Sequence, residues 1–408
     1  MPAWIPGRAI AGIHRLHSLI HMQTSFLPQM LDGVRVLDLS RVLAGPWAGQ
    51  LLADYGADVI KVERPGSGDD TRAWGPPWWG EGADRVAAYF LCANRGKRSL
   101  AIDIASPEGI SQVRELALEA DILIENYKVG QLAKYGLDAA SLQAINPRLI
   151  YCSITGYGQD GPLSHKAGYD FAIQAEAGLM SITGDKGGEP QKVGVAVTDL
   201  MTGLYAVTAI LASLHERART GHGRLIDASL FDVQVAMLAN QASNQLVGRT
   251  NPTRMGNAHP NIVPYQVFPT RDGHMVLAVG NDGQFARFCE AAGHADVAAD
   301  PRFATNPARV AHRAELVPLL TGWTMSRSTA DWSALLDRAA VPCSPILDIE
   351  QVMAHPHVKA RGMVLESADS SVPPMIANPM RFDGQRPAAP LPPPALDGDR
   401  QGGRWSDR

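Results

Sequence analysis

Between residues 31 and 232 the chain alternates short apolar runs with longer stretches of helical spacing. GVRVLDL (33–39), ADVIKVE (57–63), DILIEN (121–126) and RLIYCSI (148–154) are brief, β-branched-rich and bounded by turn residues, which predicts four strands. PWAGQLLADYG (46–56) reads as a helix closed by Gly56. SPEGISQVRELALEA (106–120) has Ser106 as N-cap and Pro107 at the first helical position, and DAASLQAI (138–145) is a short third helix. Strand–helix alternation predicts an α/β fold: a parallel, doubly wound, Rossmann-like sheet domain, with ligands bound beyond the carboxyl ends of its strands.

A longer helix is expected from Asp199 itself. Leu200, Leu204, Val207, Ile210, Leu211 and Leu214 recur at helical spacing, and Gly221 with basic residues closes the stretch. A carboxylate at a helix N-terminus meets the macrodipole and unpaired N–H groups, so it should stay ionised and point outward, as a carboxylate nucleophile would. Aspartate is also a common N-cap, so position alone does not separate the two roles.

After Asp232 the rhythm changes. VQVAMLANQASNQLV (233–247) is helical, Asp272-Gly273 marks a hairpin-like turn, and 284–340 reads as short helices. The expected organisation is an N-terminal extension (1–30), the first part of the large α/β domain (31–220) and a linker (221–235). A smaller α+β domain (236–335), a segment returning to the large domain (336–385) and a Pro-rich, disordered tail (386–408) follow.

Composition narrows the function. The chain has 37 Lys+Arg against 41 Asp+Glu and no block of like charge, so neither nucleic acid nor an anionic membrane is expected as a partner. No apolar run reads as approaching the ~20 residues of a membrane span. Cys92, Cys152, Cys289 and Cys343 are scattered without CxxC spacing, which predicts no disulfide framework and no metal site and fits a reducing compartment. Residues 1–30 contain Arg8 and Arg15 and no acid, so a cytoplasmic location carries the alternative of a mitochondrial matrix protein with a transit peptide. Gly156-Tyr-Gly158-Gln-Asp-Gly161 fits the dinucleotide fingerprint by letter. Pro162 and polar residues follow it instead of a helix, which predicts a turn-rich loop.

Several long segments, in order, carry a family likeness: 31–72, 94–109, 122–137, 148–170 and 194–232. Together they resemble the class III CoA-transferases, the group of formyl-CoA transferase, carnitine CoA-transferase and the α-methylacyl-CoA racemases. GDDTRAWGPP, IYCSITGYGQDGP, AGYD and GNAHPNIVPYQVF are similar to the succinyl-CoA:dicarboxylate branch, typified by succinate–hydroxymethylglutarate CoA-transferase. The resemblance implies an interlocked homodimer, no tightly bound cofactor and a coenzyme A thioester as substrate. It places CoA against Val42, Leu43, Ala44, Arg64, Ile102, Ala105, Asn126, Tyr127, Lys128 and Lys134, and makes Asp199 the nucleophile with Tyr169 and Asp170 as neighbours. Leu43 replaces a glutamine of formyl-CoA transferase, so that side-chain contact is not expected.

In the racemase branch the position of Tyr169 is a histidine. A tyrosine with pKa near ~10 is a poor general base, which counts against racemisation and for transfer; an acyl-CoA racemase and a non-catalytic CoA-binding protein stay as the alternatives. A dicarboxylate needs a cation or several donors for its second carboxylate; Arg72, Arg254 and His259 are the candidates, surface or structural roles being the alternative. The segment 256–264 lacks the glycine run of the family lid, and the relatives' Gly-x-His-Thr segment with its terminal helix has no counterpart after the prolines.

Overall fold

The computed structural model describes residues 29–82, 85–387, 391–398 and 404–406. The extension expected over 1–30 lies almost wholly outside them. Six strands form one all-parallel sheet: β1 (Arg35–Asp38), β2 (Asp58–Glu63), β3 (Lys97–Ala101), β4 (Ile122–Glu125), β5 (Ile150–Thr155) and β6 (Leu225–Ser229). Their spatial order is β3-β2-β1-β4-β5-β6, the doubly wound arrangement, with the winding reversing between β1 and β4.

Alternation along each strand builds the two covered faces. Val36, Val59, Ile122, Ile124, Ile150 and Cys152 pack under α1 (Ala44–Asp54) and a long helix described below. Leu37, Ile60, Leu123 and Tyr151 pack under α2 (Pro107–Glu119) and α3 (Ala139–Ile145). Burying each such aliphatic side chain contributes roughly 1.5–3 kcal/mol, which is why the two-face pattern holds against the weak local propensities. Ser106 does cap α2, accepting from the Gly109 N–H at 3.0 Å.

Several boundaries differ from the sequence reading. The linker expected over 221–235 is instead β6 and the start of a helix (Leu230–Met237). The strand Cys343–Pro345, expected to open the return segment, pairs antiparallel with His274–Ala278, which also pairs with Tyr265–Pro269. These three strands make a separate sheet over their own cluster of Phe268, Phe285, Phe288, Trp323 and Trp332.

The tail expected to be disordered is docked wherever it is described. Leu391 C=O accepts from Gly96 N–H (2.9 Å), the Asp397 carboxylate accepts from Ala101 N–H (3.0 Å), and Trp405 is buried with its indole N–H on Leu116 C=O (3.2 Å). It covers the edge strand β3, whose backbone would otherwise be open to pairing. Prolines do not prevent this: Pro394 lacks an N–H, and its C=O accepts from the Arg72 guanidinium at 3.1 Å.

Candidate active site

α4 (Asp170–Glu176) and α5 (Val197–Thr220) complete the site. α5 is long and apolar enough to cross a membrane, with a mean hydropathy of 1.5, against the expectation from the sequence. It packs instead along α1 and the sheet. Gly203 makes this possible, since a Cβ there would stand 2.7 Å from Ala44 C=O and 3.1 Å from the Trp47 ring.

The loops leaving β1, β4 and β5 meet where the sheet order reverses, the crevice in which open α/β sheets bind ligands. A cavity of about 190 Å³ opens there, walled by Val42–Ala44, Asn126–Lys128, Thr155, Gly156, Ser164, Lys166–Tyr169 and Asp199. It shares Arg41, Tyr127 and Gln131 with a second cavity of about 170 Å³, walled by Lys61–Arg64, Asp69 and Ile102–Ala105. The two together suit an elongated ligand with Asp199 toward one end and Arg64 toward the other.

Asp199 is not the cap of its helix. α5 starts at Val197, and its first N–H groups are satisfied from α4: the Asp170 carboxylate accepts from Thr198 N–H (2.8 Å) and, more weakly, from Asp199 N–H (3.4 Å). Gln174 holds Asp170 in turn, donating to its second oxygen (2.7 Å) while accepting from Val193 N–H (2.9 Å). Asp199 is left 9 % exposed with its carboxylate at the cavity wall. Burial, reinforced by the nearby Asp170 charge, pushes its pKa up to about 7. The expectation of a fully ionised carboxylate is thus corrected. A helix terminus stabilises charge by about 0.3–2 kcal/mol, whereas desolvation costs several.

Most of the expected CoA-site residues converge. Val42, Leu43, Ala44, Asn126, Tyr127 and Lys128 share the cavity of Asp199 with its expected neighbour Tyr169, and Arg64, Ile102, Ala105 and Tyr127 line the second. Lys134 lies exposed on a short 3₁₀ turn (Leu132–Tyr135) and lines neither. Asp170 is buried behind the wall as the external cap.

The three candidates for a second carboxylate lie elsewhere in the single chain. Arg72 is bidentate on Glu63 (2.7 and 2.7 Å) and sits 3.7 Å over the Phe90 ring. Arg254 donates to Gly188 C=O (2.8 Å). His259 accepts from Asn261 N–H (3.0 Å), its pKa lowered by burial and by Arg313. Lys166 was missed. It lies in the cavity wall, ion-paired with Glu176 at 2.9 Å. The near-contact of Gly156 and Gly168, where a Cβ would meet backbone at 2.6 Å, folds its loop over the end of β5. That loop is the turn-rich segment expected from the imperfect fingerprint.

This arrangement has close counterparts. Residues 31–400 match the family model of CoA-transferase family III, and the chain belongs to that family. A succinate–glutarate CoA-transferase of Agrobacterium fabrum is 53% identical over 354 residues, 86% of this chain and 88% of that one. The Homo sapiens succinyl-CoA:glutarate CoA-transferase is 44% identical over 368 residues, 90% of this chain and 83% of the relative. A crystal structure of a CAIB/BAIF family protein from Brucella suis superposes with a TM-score of 0.81 at 50% identity, covering 91% of this chain and 97% of that one.

Proposed function

We propose that the protein transfers CoA from succinyl-CoA to glutarate or a similar small dicarboxylic acid, with Asp199 as the covalent carrier. The observation that carries this reading is the buried carboxylate of Asp199 in the cavity wall at the sheet's switch point, its pKa raised by burial, whereas the other buried carboxylates of the paired cavity, Glu63 and Asp69, are ion-paired with Arg72 and Lys61. The names of the relatives in Agrobacterium fabrum and Homo sapiens support the choice of acids.

Each step exchanges one acyl bond for another. The Asp199 carboxylate attacks the thioester carbonyl, the C–S bond breaks, and CoA thiolate leaves behind a mixed anhydride. The thiolate then attacks the aspartyl carbonyl, releasing succinate and forming an aspartyl-CoA thioester. Glutarate attacks that thioester through a carboxylate oxygen and again expels the thiolate. The thiolate finally takes the glutaryl carbonyl of the new anhydride, giving glutaryl-CoA and free Asp199. Protons balance without an external acid, because carboxylates and thiolates carry the charge throughout. Burial suits this chemistry: a desolvated carboxylate is a stronger nucleophile, and water kept from the site cannot hydrolyse the anhydride.

The distal carboxylate of either acid needs a partner. Lys166 provides it, since an ammonium has three donors and Glu176 occupies one side of it. The chain acts as an interlocked homodimer. This is supported by the exposed apolar side chains of Leu204, Tyr205 and Leu211 on α5 and of Leu246 and Val247 on a later helix (Ala239–Gly248).

The test is succinyl-CoA incubated with a panel of mono- and dicarboxylic acids, with chromatography of the acyl-CoA products. Glutaryl-CoA is expected from the wild type. Lys166→Gln should raise the KM for glutarate about tenfold and leave that for a monocarboxylate unchanged. No new acyl-CoA from any dicarboxylate would overturn the reading.

A further inference from the structure

Val42 has φ 71°, in the left-handed region, where a β-branched residue is an outlier. It lies in the cavity wall together with Leu43, Ala44 and Asp199, at the point where β1 turns into α1. The polar groups leading into that turn are gripped from strand β2 and from the loops that follow β2 and β4. Ser40 C=O accepts from the Lys61 ammonium at 2.7 Å. Arg41 N–H donates to Asn126 Oδ1 at 2.9 Å, and Arg41 C=O accepts from Asn126 Nδ2 at 2.7 Å. Val42 N–H donates to both oxygens of Asp69 at 3.3 Å. Lys61 and Asp69 are themselves a fully buried ion pair at 2.9 Å, and Thr71 donates to Asp69 through its N–H and its hydroxyl.

We propose that Asn126 is a positioning residue. Its amide clamps both sides of the Arg41 residue and, with Asp69, holds Val42 in the left-handed conformation that sets the cavity wall beside Asp199. Asn126 directly follows β4 and Val42 lies in the turn between β1 and α1, so the clamp ties together the loops leaving the two strands between which the sheet order reverses. A side chain that spends one donor and one acceptor on a backbone unit has only half its hydrogen-bonding capacity left for a ligand. Its main effect on CoA therefore passes through the Val42–Ala44 backbone. The inference rests on the CoA-transfer reading for its functional meaning.

A double-mutant cycle tests it. Glycine enters the left-handed region without steric cost, so Val42→Gly removes the need for a clamp. Asn126→Ala, Val42→Gly and the double variant are compared by calorimetric Kd for CoA, by KM and kcat with succinyl-CoA, and by Tm. Asn126→Ala alone should weaken CoA binding and raise the KM for succinyl-CoA about tenfold. In the Val42→Gly background the same substitution should cost less than threefold. A merely structural asparagine would lower Tm equally in both backgrounds and give independent, multiplying effects on KM, which would overturn the proposal. Should Asn126→Ala fail to fold, Asn126→Ser, which keeps one hydrogen-bonding group, takes its place in the cycle with the same criteria. The calorimetric arm separates the two readings. Coupled CoA affinities without any transfer activity would leave the clamp standing and sink the transferase reading.

Discussion

At Asp199 two influences oppose one another: the positive end of α5 favours its charge, and loss of water disfavours it. Water loss wins, and the pKa rises to about 7. On the proposal that Asp199 is the covalent carrier it must be ionised to attack, so kcat/KM for succinyl-CoA should rise with pH to a midpoint near 7 and level off above it. Stability should run the other way. A carboxyl whose folded pKa lies above its unfolded value costs nothing below about pH 4; the penalty grows through the window up to about 7 and is then constant, at most about 4 kcal/mol. Asp199→Asn lacks that penalty. The variant should be inactive, and its Tm should exceed the wild type's by more at pH 8 than at pH 5. A Tm difference independent of pH would mean that Asp199 is not desolvated in solution. The sequence pointed to Asp199 through the helix that follows it, but not to its burial. Burial comes with Asp170 and with the Ala44–Asp54 helix along which α5 packs, both from other parts of the chain.

At the scale of elements, the strands with uninterrupted apolar runs were legible and the two edge strands were not. β3 begins with Lys97 and Arg98, which reads as a polar loop. Yet Lys97 is fully buried, its ammonium donating to Asp38 (2.9 Å), Asn94 (2.9 Å) and Pro46 C=O (2.8 Å). Burial lowers its pKa to about 8, with Asp38 opposing that fall. β6 reads LIDAS, half exposed, with Asp227 accepting from Gln159 N–H at 2.8 Å. In both strands a charged residue satisfied by a partner far along the chain hides the apolar alternation, and a local pattern cannot show such a partner. The site suffered in the same way. Motif likeness located Val42–Ala44 and Asn126–Lys128, whereas Arg72 looked available because a local pattern does not show that its 3₁₀ turn (Asp70–Ala73) folds back onto Glu63 at the end of β2.

For the molecule as a whole, the chain alone leaves Leu204, Tyr205, Leu246 and Val247 in water, with Val247 85% exposed. An interlocked dimer covers such a surface and resists dilution, so sedimentation at micromolar concentration should show a dimer and no monomer; a clean monomer would contradict that assembly. The central claim concerns the covalent carrier, and one measurement addresses it directly. The enzyme is incubated with succinyl-CoA without acceptor, quenched with hydroxylamine, digested and analysed by mass spectrometry. The account predicts a hydroxamate on the peptide that contains Asp199, absent when the thioester is omitted. Modification of Asp170 instead, or an unmodified Asp199 in an enzyme that turns over, would contradict it.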